Sequence, residues 1–125
     1  MAKKSLIYPL GYKALTNAQK KIICNGCGPK GWKNKFVPNT ILFVSVLLAC
    51  QIHDYMYFVG LTRKDKVDAD NVFLKNMNII FDNVRFPFSM LNKQRRRHAE
   101  LYFFAVVYGG ESSFLEGKHG FKKTP

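Results

Sequence analysis

Acidic side chains are scarce in this sequence. Eight Asp and Glu stand against 20 Lys and Arg, leaving a formal charge of +12. That imbalance predicts attraction to polyanions, either nucleic acid or an anionic lipid surface, and by itself does not choose between them. Cysteine is also sparse: three residues permit one disulfide with a thiol left over, or thiol ligation of a metal. A long apolar run is missing. The longest, Ile41 to Cys50, is about half of what a bilayer span needs and leads straight into His53 and Asp54, so no transmembrane helix is expected. No secretory signal is expected either, because Ser5 to Tyr12 after Lys3 and Lys4 is short, broken by Pro9 and Gly11, and lacks a small-residue cleavage site. Localisation is left open: secretion or export is expected if this is a mature form, and a cytoplasmic location otherwise. Internal repeats, low-complexity segments and a second-domain linker are absent, and 125 residues with 47% hydrophobic content and eleven Phe can bury one core, so a single domain over residues 1–125 is expected.

Local patterns predict an all-α fold. Asn17 to Ile23 is a weak helical candidate. The stretch Asn25-Gly26-Cys27-Gly28-Pro29-Lys30-Gly31-Trp32 excludes a regular element and favours a tight loop with exposed carbonyls and amides. After Pro38, either Asn39 or Thr40 can cap a helix that runs unbroken from Thr40 to Val59 and stops at Gly60. Dense Ile, Val and Phe offer a strand alternative there, and the length favours helix. A charged turn over Thr62 to Lys66 leads to a second helix from about Val67 to Asn83. Its apolar positions Ala69, Val72, Phe73, Met77, Ile80 and Val84 keep helical spacing and carry Asp70 on the inward side. Arg85-Phe86-Pro87-Phe88 breaks the pattern. A third helix is expected from about Leu91 to Tyr108, with Arg95, Arg96 and Arg97 on a solvated face, followed by a polar tail over residues 111–125 pinned by Phe114, Leu115 or Phe121.

The chemistry concentrates in Cys50-Gln51-Ile52-His53-Asp54-Tyr55-Met56-Tyr57. On a helix Cys50, His53 and Tyr57 line one stripe while Asp54 points to its flank, so the imidazole and the carboxylate serve one site from two directions. A carboxylate on an apolar helix needs a cation or several donors to stay ionised, which implies a metal or a charged partner. One assignment reads Cys24-x2-Cys27 with Cys50-x2-His53 as a Cys3His zinc site in a basic protein that binds nucleic acid. It leaves Asp54, Tyr57 and the inward Asp70 without a role.

A second assignment uses all of them. The Gly26-Cys27-Gly28 loop, the helix with Cys50, His53, Asp54 and Tyr57, and the later Asp70-Asn71-Val72-Phe73 come in an order that resembles the secreted phospholipase A2 superfamily, most closely its short bacterial members. The likeness covers roughly residues 24 to 80. It implies two long antiparallel helices carrying the site, a third C-terminal helix and a glycine-rich calcium loop. It also implies calcium-dependent hydrolysis of the sn-2 ester of glycerophospholipids. His53 would take the proton of the attacking water, Asp70 would hold its other ring nitrogen, and Tyr57 would donate to that carboxylate. Ca²⁺ would be bound by Asp54 and the main-chain carbonyls of Gly26, Gly28 and Lys30, and the Gly28 amide would complete the oxyanion hole. Cys27 and Cys50 would join loop to helix, leaving Cys24 the odd thiol. Pro29-Lys30-Gly31 departs from the usual glycine-rich continuation, which also leaves room for an inactive, phospholipase-like binding module. Lys30, Lys33 and Lys35 around Trp32 and Phe36 suit an anionic membrane surface at the mouth of such a site.

Overall fold

Gly60 to Thr62 turn the chain so tightly that the following helix must run back along the preceding one. In the computed structural model, which describes residues 3–24 and 38–115, most of the described chain is helical. The elements are α1 (Asn17–Ile23), a short antiparallel hairpin of β1 (Thr40–Ile41) and β2 (Val44–Ser45), α2 (Leu47–Val59), α3 (Arg63–Asp82), α4 (Asn92–Gly109) and α5 (Glu111–Leu115). The class is all-α, with α3 packed between α2 and α4. No helix among the described residues is long and apolar enough to cross a membrane.

Three expectations need correction. The helix bearing His53 begins at Leu47, not Thr40, because Leu42 and Phe43 both adopt positive φ (44° and 71°) at the tip of the two-residue hairpin. That turn needs left-handed residues and is usually signalled by Asn-Gly, so Leu-Phe concealed it. The charged stretch before Val67 is no turn. Thr62 Oγ1 accepts the Asp65 amide and Asp65 Oδ2 accepts those of Thr62 and Leu61, a capping box that starts α3 at Arg63. Residues Glu111–Leu115 form a short helix rather than a polar tail, and Phe114 pins it as expected, buried edge-on against Tyr57 with ring centroids 5.3 Å apart; Phe121 lies outside the described residues.

A further correction concerns Arg95, which is wholly buried rather than solvated. Its guanidinium donates to the Leu42 carbonyl (2.8 and 3.1 Å), the Phe88 carbonyl (2.7 Å) and Asn92 Oδ1 (2.9 Å). Four hydrogen bonds to three acceptors offset much of the cost of desolvating the charge. Arg95 thereby ties the hairpin tip to the turn before α4. The core proper is Ile41, Val46, Ala49, Cys50, Phe73, Met77, Phe81 and Ala99, drawn from the hairpin and from α2, α3 and α4. On the other side of α3, Asn76 accepts the Ile7 amide (2.7 Å) and donates to its carbonyl (3.0 Å); Asn83, two turns on, does the same with Lys4 (2.8 and 2.9 Å). Two asparagines thus dock the N-terminal segment as a neighbouring strand would.

Candidate functional site

Near the chain reversal, where Gly60 lies against Asp65, His53 on α2 faces Asp70 on α3. His53 Nε2 lies 2.8 Å from Asp70 Oδ1, and the Tyr57 hydroxyl donates to the same oxygen at 2.6 Å. His53 and Tyr57 reach one carboxylate because they sit one helical turn apart, as the spacing required. Phe73, one turn beyond Asp70, stacks on the imidazole with centroids 4.6 Å apart and an interplanar angle of 29°, so the ring is held on its face as well as its edge.

A fourth group joins them that the sequence reading missed. Lys66 Nζ donates to Asp70 Oδ2 (2.9 Å) and to the Val106 carbonyl on α4 (3.0 Å). His53, Lys66 and Asp70 are all buried, at 5%, 4% and 3% exposure. Asp70 therefore accepts from two groups on one oxygen and one on the other. The available signal was the four-residue spacing of Lys66 and Asp70, and it was hidden once Lys66 was assigned to a turn.

The electrostatics follow from that arrangement. Burial by itself raises the Asp70 pKa, but the hydrogen bonds from His53, Tyr57 and Lys66 outweigh it and hold the carboxyl below its ordinary range. Asp70 is ionised at neutral pH. For His53, burial dominates and pushes the pKa down, the Asp70 hydrogen bond and charge oppose it, and the Lys66 charge adds to the depression. The His53 pKa therefore lies below the ordinary imidazole value. A neutral imidazole donating from Nε2 to an ionised carboxylate must carry its lone pair on Nδ1, which has no hydrogen-bond partner among the described residues. The Tyr57 hydroxyl is held strongly protonated by burial first and the Asp70 carboxylate second, so it acts as a fixed donor.

Close fit matters here. A Cβ on Gly110 would come within 2.5 Å of the Val106 carbonyl and 2.7 Å of the Tyr57 hydroxyl, so only glycine leaves room for Tyr57 in this pose.

Asp54 lies half-buried on the flank of α2, off the His53 and Tyr57 stripe. Its charge helps raise the pKa values of Cys24, Tyr12 and Tyr57, which places its influence beside the dyad and toward the end of α1. Cys50 is buried one turn before His53. The other positions implicated by the resemblance, Gly26, Cys27, Gly28, Lys30, Trp32, Lys33, Lys35 and Phe36, lie outside the described residues. Among the described residues no three His, Cys, Asp or Glu gather as a metal cage. A calcium set of one carboxylate and three main-chain carbonyls would form no such group, and the oxygen of Asp54 suits a hard cation. Cys24 Sγ donates to the Gln51 carbonyl at 3.4 Å, and burial pushes its thiol up to about 11. Cys24 is a free cysteine. Against family models, characterised proteins and solved structures alike, the chain finds no match.

Proposed function

We propose that the chain is a phospholipase A2-like hydrolase that cleaves the sn-2 ester of glycerophospholipids with calcium. The observation that carries the reading is the Asp70 carboxylate taking His53 Nε2 and the Tyr57 hydroxyl on one oxygen, at 2.8 and 2.6 Å, with no partner on His53 Nδ1 among the described residues. This arrangement supports a role in water activation. A fixed, neutral imidazole accepts the proton of water as it attacks the ester carbonyl, then returns it to the departing glycerol oxygen. Asp70 fixes the tautomer and stabilises the imidazolium while it lasts. Tyr57 and Lys66 keep that carboxylate ionised and oriented, and Phe73 stops the ring from tilting.

Asp54, with the carbonyls of Gly26, Gly28 and Lys30, would hold Ca²⁺. When bound, the ion supplies Lewis-acid polarisation of the ester carbonyl and charge compensation for the phosphate. The Gly28 amide is the candidate oxyanion donor and the Cys27–Cys50 pair the candidate link between loop and helix. Lys30, Trp32, Lys33, Lys35 and Phe36 would meet the lipid surface.

The roles separate in two variants. Asp54→Asn is expected to abolish calcium binding by calorimetry and turnover of sn-2-labelled phospholipid together. Asp70→Asn is expected to lower turnover at least a hundredfold with calcium binding retained. Equal loss of calcium in both variants would contradict the assignment.

A further inference from the structure

At the other end of α2, the hairpin tip and the turn before α4 stand side by side. Arg95 bonds the Leu42 and Phe88 carbonyls at once, so the two loops are held within the span of one guanidinium. What they present is unusual for a charged protein. Phe43, Phe86, Phe88 and Met90 are 86%, 78%, 68% and 70% exposed. At roughly 150–250 Å² per aromatic side chain, the three phenylalanines alone offer on the order of 400 Å² of apolar surface, near the largest patch of an ordinary monomer. The backbone is committed to this display. Leu42 and Phe43 are both held at positive φ, a conformation that disfavours side chains, and the result is an outward Phe43.

We propose that these two tips form a docking surface for anionic phospholipid membranes. Charge complementarity selects the occupant. Arg85 precedes the turn and Lys93 and Arg97 follow it on α4, all exposed. The nearby carboxylate of Asp82 is already paired with Lys4 and Arg96. The patch is therefore apolar at its centre and cationic at its rim, a composition that suits insertion between acyl chains with lysine and arginine at the headgroups. A second copy fits less well, since each chain carries +12. The choice of a lipid occupant rests on the hydrolase reading; the place of the surface rests on the loops themselves.

The test reads binding without turnover. In a His53→Gln background, which cannot consume the vesicles, co-sedimentation is measured with phosphatidylcholine vesicles containing 30% phosphatidylglycerol. The parent chain is expected to bind, and Phe43→Ser/Phe86→Ser/Phe88→Ser is expected to lose at least tenfold in partitioning. Phe43→Trp in a Trp32→Phe background is expected to be quenched by brominated acyl chains, which reads insertion directly and requires the loops to be folded. Undiminished sedimentation of the triple variant, or an unquenched Trp at position 43, would overturn the proposal. So would a dimer or an oligonucleotide complex of the parent chain that the triple variant loses. Hydrolysis of a monodisperse short-chain phospholipid is measured in parallel on chains retaining His53. If the triple variant keeps that activity while losing vesicles, docking and chemistry are separate, as proposed. If no chain hydrolyses it, the hydrolase reading fails while the vesicle result still decides the surface.

Discussion

Replacing Lys66 with methionine removes the charge that offsets Asp70 while keeping most of the volume of the side chain. Asp70 would keep His53 Nε2 and the Tyr57 hydroxyl on Oδ1 and lose its only described partner on Oδ2. The Val106 carbonyl would keep the Gly110 amide at 3.0 Å. Removing one partner of a buried ion pair costs about 3–5 kcal/mol. Because two donors stay on the carboxylate, the lower end, about 3 kcal/mol, is expected. With a urea slope of about 1.5 kcal/mol per molar, that is a midpoint lower by about 2 M at pH 7.5. The loss should shrink on acidification. The Lys66 charge is one of the causes that hold the His53 pKa down, so without it the folded variant binds a proton more readily and His53⁺ can replace the missing cation beside Asp70. Urea titrations at pH 7.5 and 5.5 check this. A Lys66→Met chain as stable as its parent at pH 7.5, or one whose deficit grows at pH 5.5, would refute the reasoning.

Other outcomes follow from the same cluster. The unfolded chain protonates His53 at the ordinary imidazole value near 6.5, whereas the folded chain, with its pKa depressed, does so only at lower pH. Between these values the unfolded state binds more protons, so stability falls as pH drops below about 6.5. Asp70, held below 3.8, adds a second loss as pH falls from 3.8 through its folded value. Urea midpoints should decline between pH 7.5 and 5, and that decline should be largely absent in His53→Gln; an unchanged slope in the variant would remove His53 as its cause. Gly110→Ala must displace the Val106 carbonyl or the Tyr57 hydroxyl, with an expected destabilisation of about 1–3 kcal/mol and a fall in turnover beyond what unfolding explains. A thermally intact, fully active Gly110→Ala chain would contradict the proposed role of Tyr57.

The dyad was legible because its geometry is local. Once His53 and Tyr57 lie one turn apart on a helix and Asp70 faces inward from the next, a short reversal at Gly60 brings them together. Lys66 was illegible for a narrow reason. The α3 start was placed at Val67, since its N-cap box closes on Asp65 rather than the usual Glu or Gln, and a residue assigned to a turn has no helical face. The hairpin was hidden by its Leu-Phe tip, residue types that do not signal a left-handed backbone; Arg95, remote in sequence, donates to the Leu42 carbonyl there. Arg95 itself, in a run with Arg96 and Arg97, gave no sign of burial. Its acceptors come from three places in the chain, Leu42, Phe88 and Asn92, and only the fold assembles them. Tertiary context overrode a local pattern in each case.

The most direct measurement is fatty-acid release from phosphatidylglycerol labelled at sn-2, with calcium or with excess chelator, for the parent chain and His53→Gln. Calcium-dependent release of the sn-2 chain, lost in His53→Gln, is the result this account predicts. No release from a folded parent chain under either condition would contradict it and leave a catalytically inactive fold that binds; zinc retained by the same preparation would instead point to the thiolate site of Cys24, Cys27, Cys50 and His53.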